Sequence, residues 1–424
     1  MSAPLRILLV TDSFPPGCGG SGWSTWELAH GLGSRGHHVE VVKVSTSPTE
    51  RVARGSYQGV SVETYGIHAP GIPFVRNLIK NEQLWRRLTE HLAMRLASDQ
   101  FDIVHAQHVM TTVPAVRAGR AAGTPVVATV RDYWPVCYWS DLIYDPGQPA
   151  LCPACSAGMM TKCIQPRAGL ASLVAWPMIP YMRANLATKR RTLATADAVI
   201  AVSSTIARDL EARAPELAAT PLYTIPNPVD MIALDHAYDQ APRPTAEPYL
   251  LYAGKIAVNK GVQYLLPAIV EAGLSLPLVV AGDGPLRGQL EAEARNLGVN
   301  LRVLGWRSRE EVWGWMRHAR LLAFPSYGPE SLSRVLIEAA ALGTPIAAMN
   351  TGGTPDIVHD RETGLLSATP QAFARDLAEL AADERLRAVL GAAARADAHA
   401  RFSATSVVER VEQVYRSLLV PRAA

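Results

Sequence analysis

The sequence predicts an α/β protein built from two doubly wound domains in series. Three observations carry this. Short, β-rich apolar runs recur along the chain with helical stretches between them, which is the rhythm of a parallel sheet. The rhythm stops in a Pro/Ala-rich segment, Ala241 to Pro248, and then restarts. The 424 residues, 48% of them hydrophobic, hold enough apolar material for two cores.

The first strand is expected over Arg6 to Val10 and the second over Val39 to Val44. Between them, Trp26, Leu28, Ala29 and Leu32 lie at helical spacing within Trp23 to Leu32. That makes a strand, a glycine loop, a helix and a strand, or one βαβ unit. Further strands are expected at Ile103 to His105, Val126 to Val130 and Val199 to Val202. Residues 133 to 170 interrupt the pattern with Pro, Gly and four Cys and read as an insertion.

Beyond Ile225-Pro-Asn-Pro-Val-Asp230, strands are expected at Tyr249 to Ala253, Leu278 to Ala281, Leu301 to Leu304, Leu321 to Phe324 and Pro345 to Ala348. Ala-rich helical sequence runs from Gln371 to His399, and Val407 to Leu419 forms a last amphipathic helix. The expected division is 1–228 and 229–400, with 401–424 a C-terminal helix packing back on the first domain. The carboxyl ends of the two sets of strands are expected to line a cleft.

Composition excludes several classes. With 41 Lys+Arg against 38 Asp+Glu the net charge is +3, and no long basic run occurs, so nucleic acid is not an expected partner. Ile7 to Val10 is apolar but stops at Asp12, unlike a signal peptide. The longest apolar stretch, Ala168 to Met182, is broken by Pro177 and Pro180 and is shorter than the roughly 20 residues a membrane span needs. The expected location is the cytoplasm. Five cysteines in a chain this long are no disulfide framework.

Residues 11 to 22, T-D-S-F-P-P-G-C-G-G-S-G, contain the dinucleotide-binding spacing at Gly17, Gly19 and Gly22. The context argues against that use. Six residues with two prolines separate the strand from the first glycine, and the second strand ends in Ser45-Thr-Ser with no acid for a ribose. Two readings stay open here: an anion site made of backbone N–H groups, or a loop needing glycine only to turn.

The second half carries more chemistry. Lys255 and Lys260, in Gly254-Lys-Ile-Ala-Val-Asn-Lys-Gly261, are two cations across one loop and can both reach a diphosphate. Gly282-Asp-Gly-Pro285 and Gly305-Trp306 close two other strands. In Pro329-Glu330-Ser-Leu-Ser-Arg-Val-Leu-Ile-Glu338, two carboxylates lie eight residues apart, flanking a helix start. The helix is expected to open with the N–H groups of Leu332, Ser333 and Arg334 facing an anion, and Glu338 to sit about two turns in. Carboxylates accept the paired hydroxyls of sugars. A nucleoside diphosphate sugar offers sugar, diphosphate and ribose together.

This run resembles the Glu-x7-Glu motif of retaining glycosyltransferases of family 4, which have the GT-B fold of two Rossmann-like domains. The resemblance continues through Gly19-Gly20, Asp102-Ile-Val-His105, Ile225-Pro-Asn227-Pro-Val-Asp230, Gly254-Lys255, Lys260-Gly261, Gly282-Asp-Gly-Pro, Gly305 and Gly352-Gly353, covering about residues 5 to 420. It implies that the first domain binds the acceptor and the second a nucleotide-diphosphate sugar. Glu330 is then implied to contact the donor sugar and Glu338 the ribose. Lys255 and Lys260 neutralise the diphosphate, and Leu332, Ser333 and Arg334 give it backbone N–H groups. Gly19 and Gly20 lie beside phosphate and sugar, and the Gly305-Trp306 backbone beside the base. The leaving diphosphate assists the incoming hydroxyl, so no cofactor or metal is implied for the chemistry. Lys255 stands where the family usually has Arg, Ser333 where glycine is common and Asp356 where Glu is frequent. Gln107 occupies the place of a second histidine, which leaves His108 or a purely structural histidine beside the acceptor.

Two features lie outside that motif. Cys137, Cys152, Cys155 and Cys163 suggest a closed tetrahedral structural zinc site, with buried thiols or a redox-active pair as alternatives. Arg76 to Lys80 with Trp85-Arg-Arg87, and Trp176 to Arg183 with Lys189-Arg-Arg191, pair basic and amphipathic character. Such faces suit an anionic membrane and a lipid-linked or cell-envelope glycan acceptor, at the inner face of the membrane, or else are ordinary solvated helices with core aromatics. The competing functions are a dinucleotide-dependent oxidoreductase and a catalytically silent, membrane-associated binding protein of the same fold.

Overall fold

The computed structural model describes residues 3–46, 52–68, 79–145, 150–169 and 172–420. In chain order the strands of the first half are β1 (Arg6–Thr11), β2 (His38–Thr46), β3 (Val52–Tyr57), β4 (Val60–Ile67), β5 (Ile103–Ala106), β6 (Val126–Val130), β7 (Ile143–Asp145), β8 (Ala150–Leu151), β9 (Ala198–Ala201) and β10 (Leu222–Thr224). Those of the second half are β11 (Leu250–Ala253), β12 (Leu278–Ala281), β13 (Leu301–Gly305), β14 (Leu321–Phe324), β15 (Ile346–Met349) and β16 (Leu365–Ser367). They form two Rossmann-like α/β units. The first comprises Met1–Ser140, Pro180–Pro228 and Ala404–Ala424; the second comprises Asp141–Ile179 and Val229–Ser403.

In the second unit the strand order is β13-β12-β11-β14-β15-β16, all parallel. Numbered within the sheet this is 3-2-1-4-5-6, and the order reverses between β11 and β14. The strands are short and wholly apolar because helices cover both faces. Leu250, Leu278, Leu321 and Ala347 are at most 0% exposed in a core closed by Leu265, Ile269, Phe373 and Leu377.

The first unit has the order β10-β9-β6-β5-β1-β2-β4-β3. It is parallel from β10 to β4, and its order reverses between β1 and β5. The expectation of a wholly parallel sheet fails at one edge: β3 pairs antiparallel to β4 through a two-residue turn at Gln58-Gly59, both with positive φ. Five of the six β3 residues are exposed, so no periodic apolar signal marks the strand.

The Ala404–Leu419 helix packs in the first unit, burying Val407, Val411, Val414 and Tyr415 with Leu28 and Leu32. Gly31 lets it approach, since a Cβ there would meet Val408 Cγ2 at 2.7 Å. Arg35 and Arg416 both pair with its Glu412.

Three expectations are corrected. The first helix spans Gly20–Ser34, so Gly20 and Gly22 belong to it and only Gly19 and earlier residues form the loop. The Ala-rich stretch is two helices, Pro370–Ala382 and Glu384–Phe402, because Asp383 leaves helical geometry and caps the second by accepting from the Leu386 N–H. Residues 141–179, read as part of the first domain, group with the second unit. Arg167 binds that segment together, reaching Asp141, the Ile143 carbonyl and the Cys163 carbonyl. Arg76 to Leu78 and the side chain of Lys80 lie outside the described residues.

A buried ion cluster fastens the β4 edge. Glu63, 4% exposed, accepts from His91 at 2.6 Å, Arg95 at 2.7 Å and Arg54 at 3.0 Å. The His91 hydrogen bond first, then Arg54 and Arg95, hold its pKa near 2 against a burial effect that pushes it up. A carboxyl depressed from 4.5 contributes its stability above pH 4.5 and loses it as the pH falls toward 2. Glu63→Gln is therefore expected to lower stability at pH 7 by about 2–3 kcal/mol. The same variant should unfold with a flatter acid limb between those pH values, as denaturant titrations at several pH values will show.

Candidate active site

The functional residues of the second unit gather at the carboxyl ends of β11 and β14, where the strand order reverses and parallel sheets open to ligands. Gly254-Lys255 leaves β11 and Pro325 to Glu330 leaves β14. Backbone contacts bring these loops together. A Cβ on Gly261, at φ +69°, would lie 1.8 Å from the Pro325 carbonyl oxygen, so only glycine allows that approach. The Gly328 N–H and the Ser326 hydroxyl both bond to the Asn259 carbonyl, at 3.0 and 3.2 Å. Gly352, at φ +53°, sits against the Glu330 backbone, and the Gly353 N–H donates to the Glu330 carbonyl at 2.6 Å.

This framework puts Lys260 on Glu330. The Lys260 Nζ lies 2.6 Å from Glu330 Oε1, which also accepts from Ser326 Oγ at 2.5 Å. Glu330 is 8% exposed, so its charge needs these partners. Lys255 is exposed, and its side chain makes no hydrogen bond or ion pair among the described residues. Its backbone is fixed instead, with the carbonyl accepting from Tyr252 Oη at 2.8 Å.

The helix after Glu330 is Arg334–Ala341, with Ser333 as its N-cap in an extended conformation. Leu332 and Ser333 therefore precede the helix, and Glu338 lies about one turn in rather than two. The Ser333 side chain makes no capping bond, so the first-turn N–H groups have no side-chain acceptor there. Glu338 is buried, and its Oε1 accepts from Arg334 Nε at 2.8 Å and Arg309 Nε at 3.3 Å. Gly305 has φ +73° and ends β13, and Trp306 beyond it is 69% exposed, unusual for so large an apolar ring.

The first unit has its own polar centre, again at a switch point. Asp12 follows β1, His108 follows β5, and Arg131 and Asp132 follow β6. His108 Nδ1 lies 2.7 Å from Asp12 and its Nε2 lies 3.6 Å from Asp132. Burial pushes the imidazolium down, but Asp12 and then Asp132 outweigh it and hold the pKa above the ordinary histidine value. Burial raises the Asp132 carboxyl and lowers Lys189 to about 8. Gly19 caps the Gly20–Ser34 helix without a side-chain bond, and its first turn holds no acid.

Other motif residues prove structural. His105 is fully buried between Tyr415 Oη at 2.6 Å and Thr129 Oγ1 at 2.7 Å. Asn227 accepts from Arg131 Nε at 2.8 Å, Asp102 accepts from the Arg6 N–H at 2.7 Å, and Asp230 caps the Met231–Gln240 helix. Asp12, Arg131, Asp132, Ser326 and Arg309 were not singled out from the sequence, and Lys189 was singled out only as part of a basic stretch. Asp12 carried a signal, an acid directly after the first strand. Among the described residues no three His, Cys, Asp or Glu are grouped to hold a metal ion. Cys152 Sγ and Cys163 Sγ donate to the nearby carbonyls of Ala154 and Met160. No helix among the described residues is long and apolar enough to cross a membrane.

Two doubly wound units define a nucleotide-dependent enzyme, the second with cations, an uncapped helix end and two carboxylates at its switch point. The description "Glycosyltransferase Family 4" matches residues 18–231, and "Glycosyl transferases group 1" matches residues 237–397. The chain belongs to glycosyltransferase family 4 and is a nucleotide-sugar-dependent glycosyltransferase. It is 27% identical over 427 residues to a D-inositol 3-phosphate glycosyltransferase of Xylanimonas cellulosilytica, covering 94% of this chain and 93% of the relative. It is 26% identical over 415 residues to a glycogen synthase of Mycobacterium tuberculosis, covering 94% and 89%. Its fold matches sucrose-phosphate synthase from Thermosynechococcus elongatus with a TM-score of 0.69, at 21% identity, covering 98% of this chain and 99% of that one. Anabaena HepE in complex with UDP matches with a TM-score of 0.65, at 19% identity, covering 97% and 100%. These solved structures are GT-B glycosyltransferases, and the fold is the same.

Gly261→Ala is expected to force the Lys260 turn off the Pro325 backbone. The second unit should lose about 2–4 kcal/mol. Nucleoside diphosphates should no longer raise the variant's melting temperature. In the first unit, Asp12→Asn should move the His108 pKa downward, which NMR titration of the imidazole will read.

Proposed function

We propose that this enzyme is a retaining glycosyltransferase that moves a sugar from a nucleotide-diphosphate sugar to a hydroxyl acceptor. The observation that carries the reading is the Lys260–Glu330 pair beside an uncapped helix end, with the exposed Lys255 on the neighbouring loop and the buried Glu338 one turn into that helix. A diphosphate arriving there competes for Lys260 and takes Lys255 as a second cation. The first-turn N–H groups from Arg334 onward add fixed dipoles, and stabilising the departing charge is the term that dominates such catalysis. Released from Lys260, Glu330 accepts hydroxyls of the donor sugar, while Glu338 accepts from the ribose. Gly19 and Gly20 serve the phosphate and sugar, and Gly305 and Trp306 the base.

In the step itself, the bond from the anomeric carbon to the phosphate oxygen breaks, and a bond to the acceptor oxygen forms on the same face. The acceptor proton passes to the departing diphosphate. His108, held between Asp12 and Asp132, is placed to orient a hydroxyl or the sugar by hydrogen bonding. The relatives' names, a polyol phosphate transferase and a glucan synthase, favour a polyhydroxyl acceptor, whether lipid-linked or a cell-envelope glycan.

Contact with an anionic membrane is proposed at Leu173 and Trp176, exposed ahead of the exposed Arg183. The other basic stretches support it less: Trp85 is core, Lys189 is buried under Tyr138 and Arg190 pairs with Glu216. Sedimentation with anionic liposomes that is unchanged in Leu173→Ser/Trp176→Ser removes this part.

The test of the main reading is the melting-temperature shift with UDP, GDP, ADP, TDP and NAD at equal concentration, since a ligand of the native state must raise stability. A selective shift with a nucleoside diphosphate, lost in Lys260→Ala together with about a hundredfold drop in kcat/KM, is the expected result. A shift with NAD alone would restore the dinucleotide reading of the Gly17 loop and sink this one.

A further inference from the structure

We propose that Arg309 and Arg334 are positioning residues that hold Glu338 oriented, so that the donor's ribose hydroxyls become a requirement for binding. The inference rests on the reading of Glu338 as the ribose acceptor.

Glu338 is 6% exposed. A carboxylate buried that far takes up a proton unless cations face it. Both of its hydrogen bonds fall on one oxygen, Oε1, from Arg334 Nε at 2.8 Å and Arg309 Nε at 3.3 Å. Glu338 Oε2 has no hydrogen bond among the described residues. The last torsion of a glutamate is broad, so a free side chain would present either oxygen in many directions. Two guanidinium donors on one oxygen remove that freedom and reserve the other as an acceptor.

The arginines are themselves held in place. Arg309 opens the helix Arg309–His318 directly after a complete capping box of Ser308 and Glu311, which fixes its backbone. Its guanidinium lies 4.4 Å from the ring centre of the buried Trp313. Arg334 is the first residue of its own helix. A cation four residues before a glutamate, at the positive end of the helix, is the unfavourable order for helix stability. Local propensity therefore does not account for Arg334, whereas orienting Glu338 does.

The consequence is chemical. An ionised carboxylate oxygen only accepts, and ribose hydroxyls donate to it. A deoxyribonucleotide would leave Oε2 without that donor once the nucleotide covers it, which costs more than a missing contact at the surface.

The experiment compares dissociation constants, from melting shifts and calorimetry, for UDP, GDP and ADP, each beside its 2′-deoxy and 3′-deoxy forms. The proteins are the wild type, Arg309→Met, Arg309→Lys, Arg334→Met and Glu338→Gln, each with its ligand-free melting temperature recorded. For the base that binds, the wild type should prefer the ribonucleotide over at least one deoxy form by about tenfold. Arg309→Met and Arg334→Met should each cut that preference by at least about threefold by weakening the ribonucleotide alone, and Arg309→Lys should restore part of it. Arginine variants that keep the full preference while Glu338→Gln loses it would overturn the proposal. So would arginine variants that weaken ribo and deoxy forms equally, which marks a merely structural role. If Glu338→Gln keeps the wild-type preference, or no nucleoside diphosphate binds, the underlying reading of Glu338 fails and the inference falls with it.

Discussion

The second unit's site depends on backbone touching backbone. Lys260 and Glu330 are 70 residues apart in sequence and come from different strands, yet their side chains meet at 2.6 Å. That meeting is possible only because the Lys260-Gly261 turn lies directly against Pro325, where any Cβ would collide. The same device recurs around it. A Cβ on Gly282 would meet the Gly254 carbonyl at 1.9 Å, one on Gly284 the Ile256 carbonyl at 2.3 Å, and one on Gly352 the Glu330 carbonyl at 2.1 Å. The glycines weld four strand-end loops into one platform, and the charged side chains inherit their positions from it. Preorganisation of this kind removes reorganisation from the moment of charge transfer.

Much of this was legible in the sequence, for identifiable reasons. The strands of both sheets are short runs of Val, Leu, Ile and Ala buried on both faces, so they stand out without any alternation. The Glu330 to Glu338 run was legible because a helix start between two carboxylates has few other uses. Less visible was anything whose meaning comes from a distant partner. The β3 edge is exposed and pairs antiparallel, and β16 is three residues long. The insertion is cross-linked by Arg167 gathering carbonyls from its own segment, which no local pattern announces. Asp12, Asp132 and Lys189 acquire their character only from burial beside one another.

The cysteines show the limit of spacing arguments. A Cys-x-x-Cys pair with two more cysteines nearby suits zinc by composition, yet a metal needs donors converging on one point. Among the described residues no three His, Cys, Asp or Glu are so grouped, and other contacts order the segment as well. Ser156 caps the Ala157–Ala168 helix, Cys163 and Met160 are buried, and Arg167 supplies the cross-links. A Cβ on Gly328 would lie 3.3 Å from Ile143 Cδ1, so the segment also leans on the loop that carries Glu330. Burial first, with Asp145 and Asp141 contributing, raises the Tyr327 pKa to about 12 on that same loop.

The two units handle charge in opposite ways, and the difference fits the roles proposed for them. In the second unit the cations stay accessible: Lys255 is exposed and Lys260 is one-third exposed, so an incoming anion can reach both without first stripping a buried charge. Pairing Lys260 with Glu330 gives the buried carboxylate a partner that an incoming anion can displace. In the first unit the charges are withdrawn from water and balanced among themselves. Arg131 is 7% exposed and bonded to Asn227 and the Gln107 carbonyl, and His108 is flanked by two aspartates. Such a network resists change in protonation and holds hydrogen-bond donors in fixed directions. That suits orienting a neutral polyhydroxyl molecule, whereas an accessible, replaceable ion pair suits a diphosphate that must bind, gain charge and leave.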